Sequence, residues 1–218
     1  MKHFFLAIVI FFLTTGCCMG PNYCSRHEAE CLPKPVVAIV PIKNSSFVEL
    51  PWNVSSELTQ GIRYWAECQN EIIVMSEADV YKGIRRAWES DFFGPDLHFT
   101  ENFHGADYVV VMELIGHQEI APNQSDRKAT YPACHAGWPS ALEMKMRIRI
   151  IHTRGVYPRL ALEEIITTCA YLPPNHCRLD YARNCWGTKA YQNSPYGNGH
   201  RRFIQDIVNR IENITWGR

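Results

Sequence analysis

The sequence predicts an α/β domain in which a mixed β-sheet is sandwiched by helices, in the order β-α-β-α-β-β-β-α. Three observations carry that expectation. "PVVAIVPIKNSS" holds a continuous apolar run, Val36 to Val40, closed by turn formers. Apolar residues recur at helical spacing after Pro51, after Ser76 and again from Phe203. "LEMKMRIRI" alternates apolar and polar residues without a break from Leu142 to Ile150. Strands interleaved with amphipathic helices and followed by a hairpin build a layered α/β sandwich.

Each element follows from its own pattern. A short run that is apolar on both faces suits a buried central strand, so Val36 to Val40 is the first. Val54, Leu58, Ile62 and Trp65 then step by four, four and three along one helical stripe. Ile72 to Met75 returns to strand. Ser76 with Asp79 three residues later resembles a capping box, and Val80, Ile84, Ala87 and Trp88 share the face of the helix it opens. Tyr108 to Ile115 is the next strand. A loop from Pro122 to Pro139 leads into the alternating segment, where Leu142, Met144, Met146, Ile148 and Ile150 form the buried face and Glu143, Lys145, Arg147 and Arg149 the opposite one. Arg154-Gly155 turns the chain into "RLALEEIITTCAYL", which completes a hairpin. Phe203, Ile207, Ile211 and Ile214 mark a last amphipathic helix packed on the sheet.

The amino terminus sets the compartment. Lys2 and His3 precede an unbroken apolar run from Phe4 to Leu13. In a helix this run rises only about 15 Å, short of the roughly 20 residues that span a bilayer, so it reads as a secretory signal and not an anchor. Leu13-Thr14-Thr15-Gly16-Cys17 resembles the lipobox of bacterial lipoproteins, although the usual leucine is replaced by Thr14 and Leu13 stands one place early. The resemblance implies a signal peptide over 1–16 and acylation of the Cys17 thiol. Several acyl chains, at about 0.8 kcal/mol per buried methylene, hold a protein to a membrane effectively for good. An ordinary signal peptide cut near Gly20, with Cys17 discarded, is the alternative. Residues 17–35, with Pro21, Pro33 and Pro35, read as a lipidated tether, and residues 36–218 as a single domain. The residue after Cys17 is not acidic but another cysteine, Cys18, which in lipoprotein families points to the outer membrane.

Composition excludes some classes of function. Twenty-two basic and twenty-two acidic residues give a formal net charge of zero, so nothing in the overall charge asks for nucleic acid. Nine cysteines suit an exported chain. With Cys17 acylated, Cys24, Cys31, Cys134, Cys169, Cys177 and Cys185 are the disulfide candidates. The short segments between Cys24 and Cys31 and between Cys177 and Cys185 would each gain about 2.5 kcal/mol on closure by the chain-entropy account. Cys68 continues a helical apolar face and reads as a buried thiol, which leaves Cys18 for an intermolecular bond.

The succession "VVAIVPIKNSS", "ELTQGIRYWAE", "IIVMSEADVYKGI" and "FHGADYVVVMELIG" resembles the fold shared by the amino-terminal domain of TolB, the curli-secretion lipoprotein and the outer-membrane lipoprotein activators of penicillin-binding proteins. Those families show a strand ending in a proline and a small polar turn, a strand running into Ser-x-x-Asp, and Gly-Ala-Asp-Tyr opening the third strand. The resemblance covers residues 36 to 118 by motif and runs to about 215 by order of elements. It implies an envelope scaffold or partner-binding module. The hairpin lacks the long apolar insertion of a pore former, and the cysteine-rich loops at 134 and 169 to 185 are foreign to the pattern.

No catalytic, cofactor or metal residue is assigned. Ser125-Asp126-Arg127-Lys128 matches Ser-x-x-Lys, but it lies in a loop without its companion motifs. Cys134-His135 and His176-Cys177 lack paired zinc-ligand spacing. His98, His104 and His117 stand singly at strand ends and read as surface or capping residues. Asn44, Asn53, Asn123 and Asn213 head Asn-x-Ser/Thr triplets, which leaves a secreted glycoprotein open. Two partner-binding candidates stand out. Trp186 and Tyr191, in "CWGTKAYQNSPYGNGH", could bind a glycan or a protein, or could form a lid over apolar surface. Lys145, Arg147 and Arg149 could present three cations to an acidic partner, or could simply form a solvated face. The expectation is therefore a lipid-anchored periplasmic protein at the bacterial outer membrane. It would act as a non-catalytic scaffold or interaction module, with an envelope protein or peptidoglycan-associated partner. The alternative is a secreted, disulfide-rich hydrolase or peptidoglycan-modifying enzyme.

Overall fold

A computed structural model describes residues 33–120, 140–172 and 185–217. Its main compact unit begins at Lys34. In chain order the elements are β1 (Val36–Ile39), β2 (Lys43–Asn44), α1 (Val54–Gln69), β3 (Ile73–Val74), α2 (Glu77–Arg86), a 3-10 turn (His98–Asn102), β4 (Tyr108–Ile120), β5 (Ser140–His152), β6 (Arg159–Leu172), α3 (Lys189–Gln192) and α4 (Pro195–Thr215). The expected mixed α/β architecture is present, with two-residue β2 and four-residue α3 as additions to the expected order.

The sheet runs β3-β1-β4-β5-β6, with β2 also paired to β4. β1 lies parallel to both β3 and β4, whereas β4, β5 and β6 are antiparallel. α1 and α4 cover one face, where Leu58, Ile62, Phe203, Ile207 and Ile211 pack on Val110, Met112, Met144, Met146 and Ile148. α2 and the 3-10 turn cover the opposite face around β1, through Val80, Phe99 and Phe103 against Ala38, Val109 and Val111. Long-range polar bonds close the sheet at the motif "GADY". Asp107 accepts from the Val36 amide at 2.8 Å and pairs with Arg154 in the turn between β5 and β6, so one carboxylate ties β1 to that end of the hairpin.

Local signals act as the sequence indicates. Asn53 caps α1 by accepting from the Ser56 amide, and Ser76 caps α2 by accepting from Asp79. Gly155, at φ 128°, supplies the left-handed position in the hairpin turn.

Four expectations are corrected. The buried row of α1 steps by four, Val54, Leu58, Ile62 and Ala66, so it passes Cys68 by, and that thiol is exposed. α2 ends at Arg86, and Trp88 leaves the helical register and is 76% exposed. The polar row of β5 is not a solvated face, because Glu143 and Arg149 are only 2% and 4% exposed. Arg149 donates to the Phe92 and Gly94 carbonyls at 3.0 and 2.8 Å, which shows that the segment after α2 packs over this end of the strand. The row is also neutralised from within. Lys145 pairs with Glu143, and Arg147 and Arg149 both pair with Glu163 of β6, so three cations do not stand ready for an acidic partner. Lastly, Tyr191 is buried at 3% exposure instead of standing on the surface as a docking anchor.

Candidate functional site

Under α1 and α4 the helix-covered face holds a buried polar centre in an otherwise apolar layer. Nδ1 of His200 lies 2.8 Å from Oε1 of Glu57, and its Nε2 lies 2.8 Å from Nε2 of His117. The Tyr191 hydroxyl donates to the same Glu57 oxygen at 2.6 Å and stands 2.8 Å from Nδ1 of His200. The Trp52 indole donates to the other Glu57 oxygen at 2.8 Å. Glu57, His117 and His200 are all buried.

Four elements bring these side chains together, each by a local device. His117 depends on a β-bulge in β4. Leu114 pairs with Met146 and Gly116 with Lys145, so Ile115 has no counterpart on β5. The extra residue shifts the side-chain parity. Leu114 and His117 thereby face the same side, the helix side, although three positions apart. Gly116 fits the bulge because a Cβ there would come within 3.2 Å of the Lys145 Cβ.

His200 is delivered by the glycine-rich first turns of α4. Ser194 caps the helix by accepting from the Gly197 amide, and Pro195 occupies the first turn, where its missing N–H costs nothing. A Cβ at Gly197 would fall 2.1 Å from the Tyr191 carbonyl oxygen, and one at Gly199 would fall 2.8 Å from the Ala170 Cβ. The two glycines let α4 settle against both α3 and β6. Thr188 caps α3 and fixes Tyr191 within a single turn. Glu57 projects from the first turn of α1, one residue before Leu58 of the buried row.

The electrostatics follow from burial and from these contacts. Burial alone would push Glu57 up, but hydrogen bonds from His200, Tyr191 and Trp52 outweigh it and hold the carboxyl below its ordinary range. An ionised carboxylate only accepts, so hydrogen sits on Nδ1 of His200. Burial, aided by the neighbouring His200, pushes His117 down to about 4. At neutral pH His117 is therefore an uncharged ring. Both ring nitrogens of His200, both oxygens of Glu57 and the Tyr191 hydroxyl are engaged within the cluster, which leaves none of them poised as a base toward an incoming group.

A cavity of about 410 Å³ opens beside the cluster between α1 and the α3–α4 segment. Glu57, Tyr191 and His200 contribute to its wall, together with Gln60, Tyr64, Trp65, Trp186, Gln192 and Arg201. Among the described residues no group of three His, Cys, Asp or Glu side chains is arranged to hold a metal ion, and no helix is long and apolar enough to cross a membrane.

The other sequence-derived candidates fall as follows. Cys17, Cys24, Cys31, Cys134 and Cys177, with the Ser125–Lys128 motif and the pairs at 134–135 and 176–177, lie outside the described residues. Among the described residues no disulfide is formed. Cys169 is half-buried on β6, and Cys185 carries an exposed free thiol, its expected partner Cys177 lying outside the described residues. Trp186 and Tyr191 come together at the cavity, Trp186 half-buried and Tyr191 in the polar cluster. His98 and His104 are exposed as expected, but His117 is buried. Glu57 and His200 were not singled out by sequence reasoning. The signal that points to His200 is the run Gly197-Asn198-Gly199 just before it, since two glycines inside a helix imply close approach at that turn.

Among curated proteins none matches this sequence significantly. Among solved structures, the hypothetical protein CT253 from Chlamydia trachomatis is similar at 20% identity with a TM-score of 0.66, over 85% of this chain and 100% of that one. Lipoprotein GNA1162 from Neisseria meningitidis superposes at 12% identity with a TM-score of 0.40, over 82% and 99%. Protein XCC0632 from Xanthomonas campestris superposes at 9% identity with a TM-score of 0.42, over 89% of each chain. The first of these likenesses is one of fold. A family model described as a family of unknown function, DUF7499, matches residues 23–217, and the chain therefore belongs to that family.

Proposed function

We propose that the protein is a lipid-anchored envelope protein whose α/β domain is a non-catalytic interaction module, docking its partner at the cavity between α1 and α4. One observation supports the module reading above others: the buried Glu57–His200–His117–Tyr191 cluster consumes its own donors and acceptors. A group that is satisfied from all sides joins elements together, while the aromatic and amide side chains at the cavity remain to meet a ligand. The anchor is supported by the apolar run from Phe4 to Leu13 and the lipobox-like Leu13-Thr14-Thr15-Gly16-Cys17 that closes it. The non-acidic residue that follows, Cys18, favours the outer membrane.

Palmitate labelling and carbonate washing of wild type and Cys17→Ser, with envelopes separated on a density gradient, test the anchor. Label and membrane retention should vanish together in the variant. Envelope crosslinking of wild type against Tyr64→Ala tests the module, since Tyr64 lies on the cavity wall and is 62% exposed. A crosslinked species that weakens in Tyr64→Ala at unchanged melting temperature supports docking there. An identical pattern in the two proteins rejects it.

A further inference from the structure

We infer that the cavity between α1 and α4 is a binding site for a neutral saccharide, with sugar rings lying against its aromatic walls and hydroxyls bonded to its amide and guanidinium groups. The inference rests on the reading of that cavity as the docking site and names its ligand.

Aromatic surface is the first reason. Tyr64 and Trp65 on α1 and Trp186 before α3 come from separate parts of the chain yet line one cavity, with Tyr64 exposed and the two tryptophans only half-buried. Large rings left partly in water around one concavity offer flat, electron-rich faces. A pyranose ring presents a face of C–H bonds to such a surface and a rim of hydroxyls at its edge.

The polar partners match that rim. Gln60 and Gln192 each carry a donor and an acceptor, as a hydroxyl does, so every amide–hydroxyl contact can be made in one sense or the other. An anionic ligand, which only accepts, would need cations. Arg201 is the one cation among the described lining residues, and its Nη2 already donates to the Gln192 carbonyl at 2.8 Å. A cationic ligand would need a spare carboxylate, whereas Glu57 is occupied by Trp52, Tyr191 and His200. With one guanidinium whose other N–H groups can still meet hydroxyls and one carboxylate engaged within the cluster, the lining carries no excess charge of either sign, which favours a neutral polar molecule.

Size and placement agree. A cavity of about 410 Å³ is in the range of small-molecule sites. It lies between helices on the covered face of the sheet, so an extended peptide would find no strand edge there to pair with.

The test uses full-length protein in a detergent without a sugar headgroup and follows tryptophan fluorescence, with calorimetry as a second readout. The probes are N,N′-diacetylchitobiose, cellobiose and maltose, with digalacturonic acid as the charged control; the first separates an N-acetylated glycan source from plain hexose chains. At least one neutral disaccharide should bind saturably, and Tyr64→Ala and Trp186→Ala should each weaken it by roughly tenfold. Tyr64→Ala guards against misfolding, because its exposed ring can be removed without opening the core. The inference is overturned by no saturable binding of any neutral probe up to about 20 mM, well past the range where millimolar affinity saturates. Binding that both variants leave unchanged, or preference for the acidic control, overturns it too. If the probes fail while the envelope crosslink still depends on Tyr64, the saccharide assignment falls and the docking site stands. If both fail, the site itself is withdrawn.

Discussion

Nε2 of His117 stands 2.8 Å from Nε2 of His200, and this contact joins the long central strand β4 to helix α4. It exists because one residue, Ile115, is extra. Without the bulge, strand alternation would turn His117 to the face of Glu113, away from α4. From His200 the bonds continue to Glu57 of α1 and Tyr191 of α3, so a single polar cluster fixes the mutual positions of the elements that wall the cavity.

The cluster makes the fold sensitive to acid. His117 moves from its ordinary 6.5 to about 4 in the folded protein, so the unfolded chain binds its proton first as the pH falls. Stability is full above 6.5, declines as the pH drops toward 4, and loses up to about 3 kcal/mol over that window. Glu57, held below its ordinary 4.5, adds a further loss only below that value. Urea unfolding across this range should show the decline in wild type. His117→Gln, which keeps an amide near the position of Nε2 but does not titrate, should flatten the upper part of the window and leave the part due to Glu57. An equal slope in the two proteins would move its origin elsewhere.

The fold was legible because it is written in apolar spacing. The alternation from Leu142 to Ile150 and the four-residue steps of α1 each bury the side they indicate. The centre was not legible, since each element contributes one polar residue and no spacing links them. Glu57 looks like an ordinary first-turn acid, and the parity of His117 is hidden by the bulge. Arg149 misleads for a related reason: its partners, the Phe92 and Gly94 carbonyls, lie more than fifty positions away in sequence. The chemistry of Tyr191 stands out in the sequence, but only tertiary packing shows that its hydroxyl points inward.

Two glycines in helices should respond oppositely to the same change. Gly→Ala in a helix interior gains about 1 kcal/mol from backbone entropy when the space is free. At Gly61 the new Cβ would meet the Ile204 Cδ1, the far end of a side chain that can rotate away, so Gly61→Ala should leave the melting temperature nearly unchanged or raise it. At Gly197 it would meet the backbone oxygen of Tyr191 at 2.1 Å, which cannot yield without separating α3 from α4. Gly197→Ala should therefore destabilise by about 3 kcal/mol or more, as overpacking of a close contact does. Thermal melts of the pair settle the contrast, and similar shifts in both would show that α3 moves easily.

Removing Arg149 and removing Arg147 should differ as sharply. The Arg149 side chain is 5% exposed, holds two backbone carbonyls and pairs with Glu163 at 3.2 Å. Arg149→Met leaves those acceptors buried, at a cost of about 3 kcal/mol, and should raise amide exchange in the segment around Phe92. Arg147, more exposed, shares Glu163 and lies over the Phe93 ring at 4.9 Å. Arg147→Ala should cost about 1 kcal/mol. Because Glu163 serves both, the double variant should not equal the sum of the singles. Equal effects of the two single changes would mean that the segment after α2 does not depend on Arg149.

Glu212, on the other hand, should weaken the fold in alkali. Burial in α4, with the charge of Glu71 beside it, raises its carboxyl to about 7 from an ordinary 4.5. A folded value above the unfolded one means the folded state holds the proton longer, so its stabilising effect is full below 4.5 and disappears as the pH rises through 7. The group keeps considerable contact with solvent, which screens the effect to under about 1 kcal/mol. Glu212→Gln fixes the neutral form, and should raise the melting temperature by at most about 2–4 °C near pH 8 while changing it little near pH 4. Two titrations with opposite signs, His117 on the acid side and Glu212 on the alkaline side, should then place maximum stability close to neutrality. A Glu212→Gln variant that melts with wild type at both pH values would remove the alkaline arm.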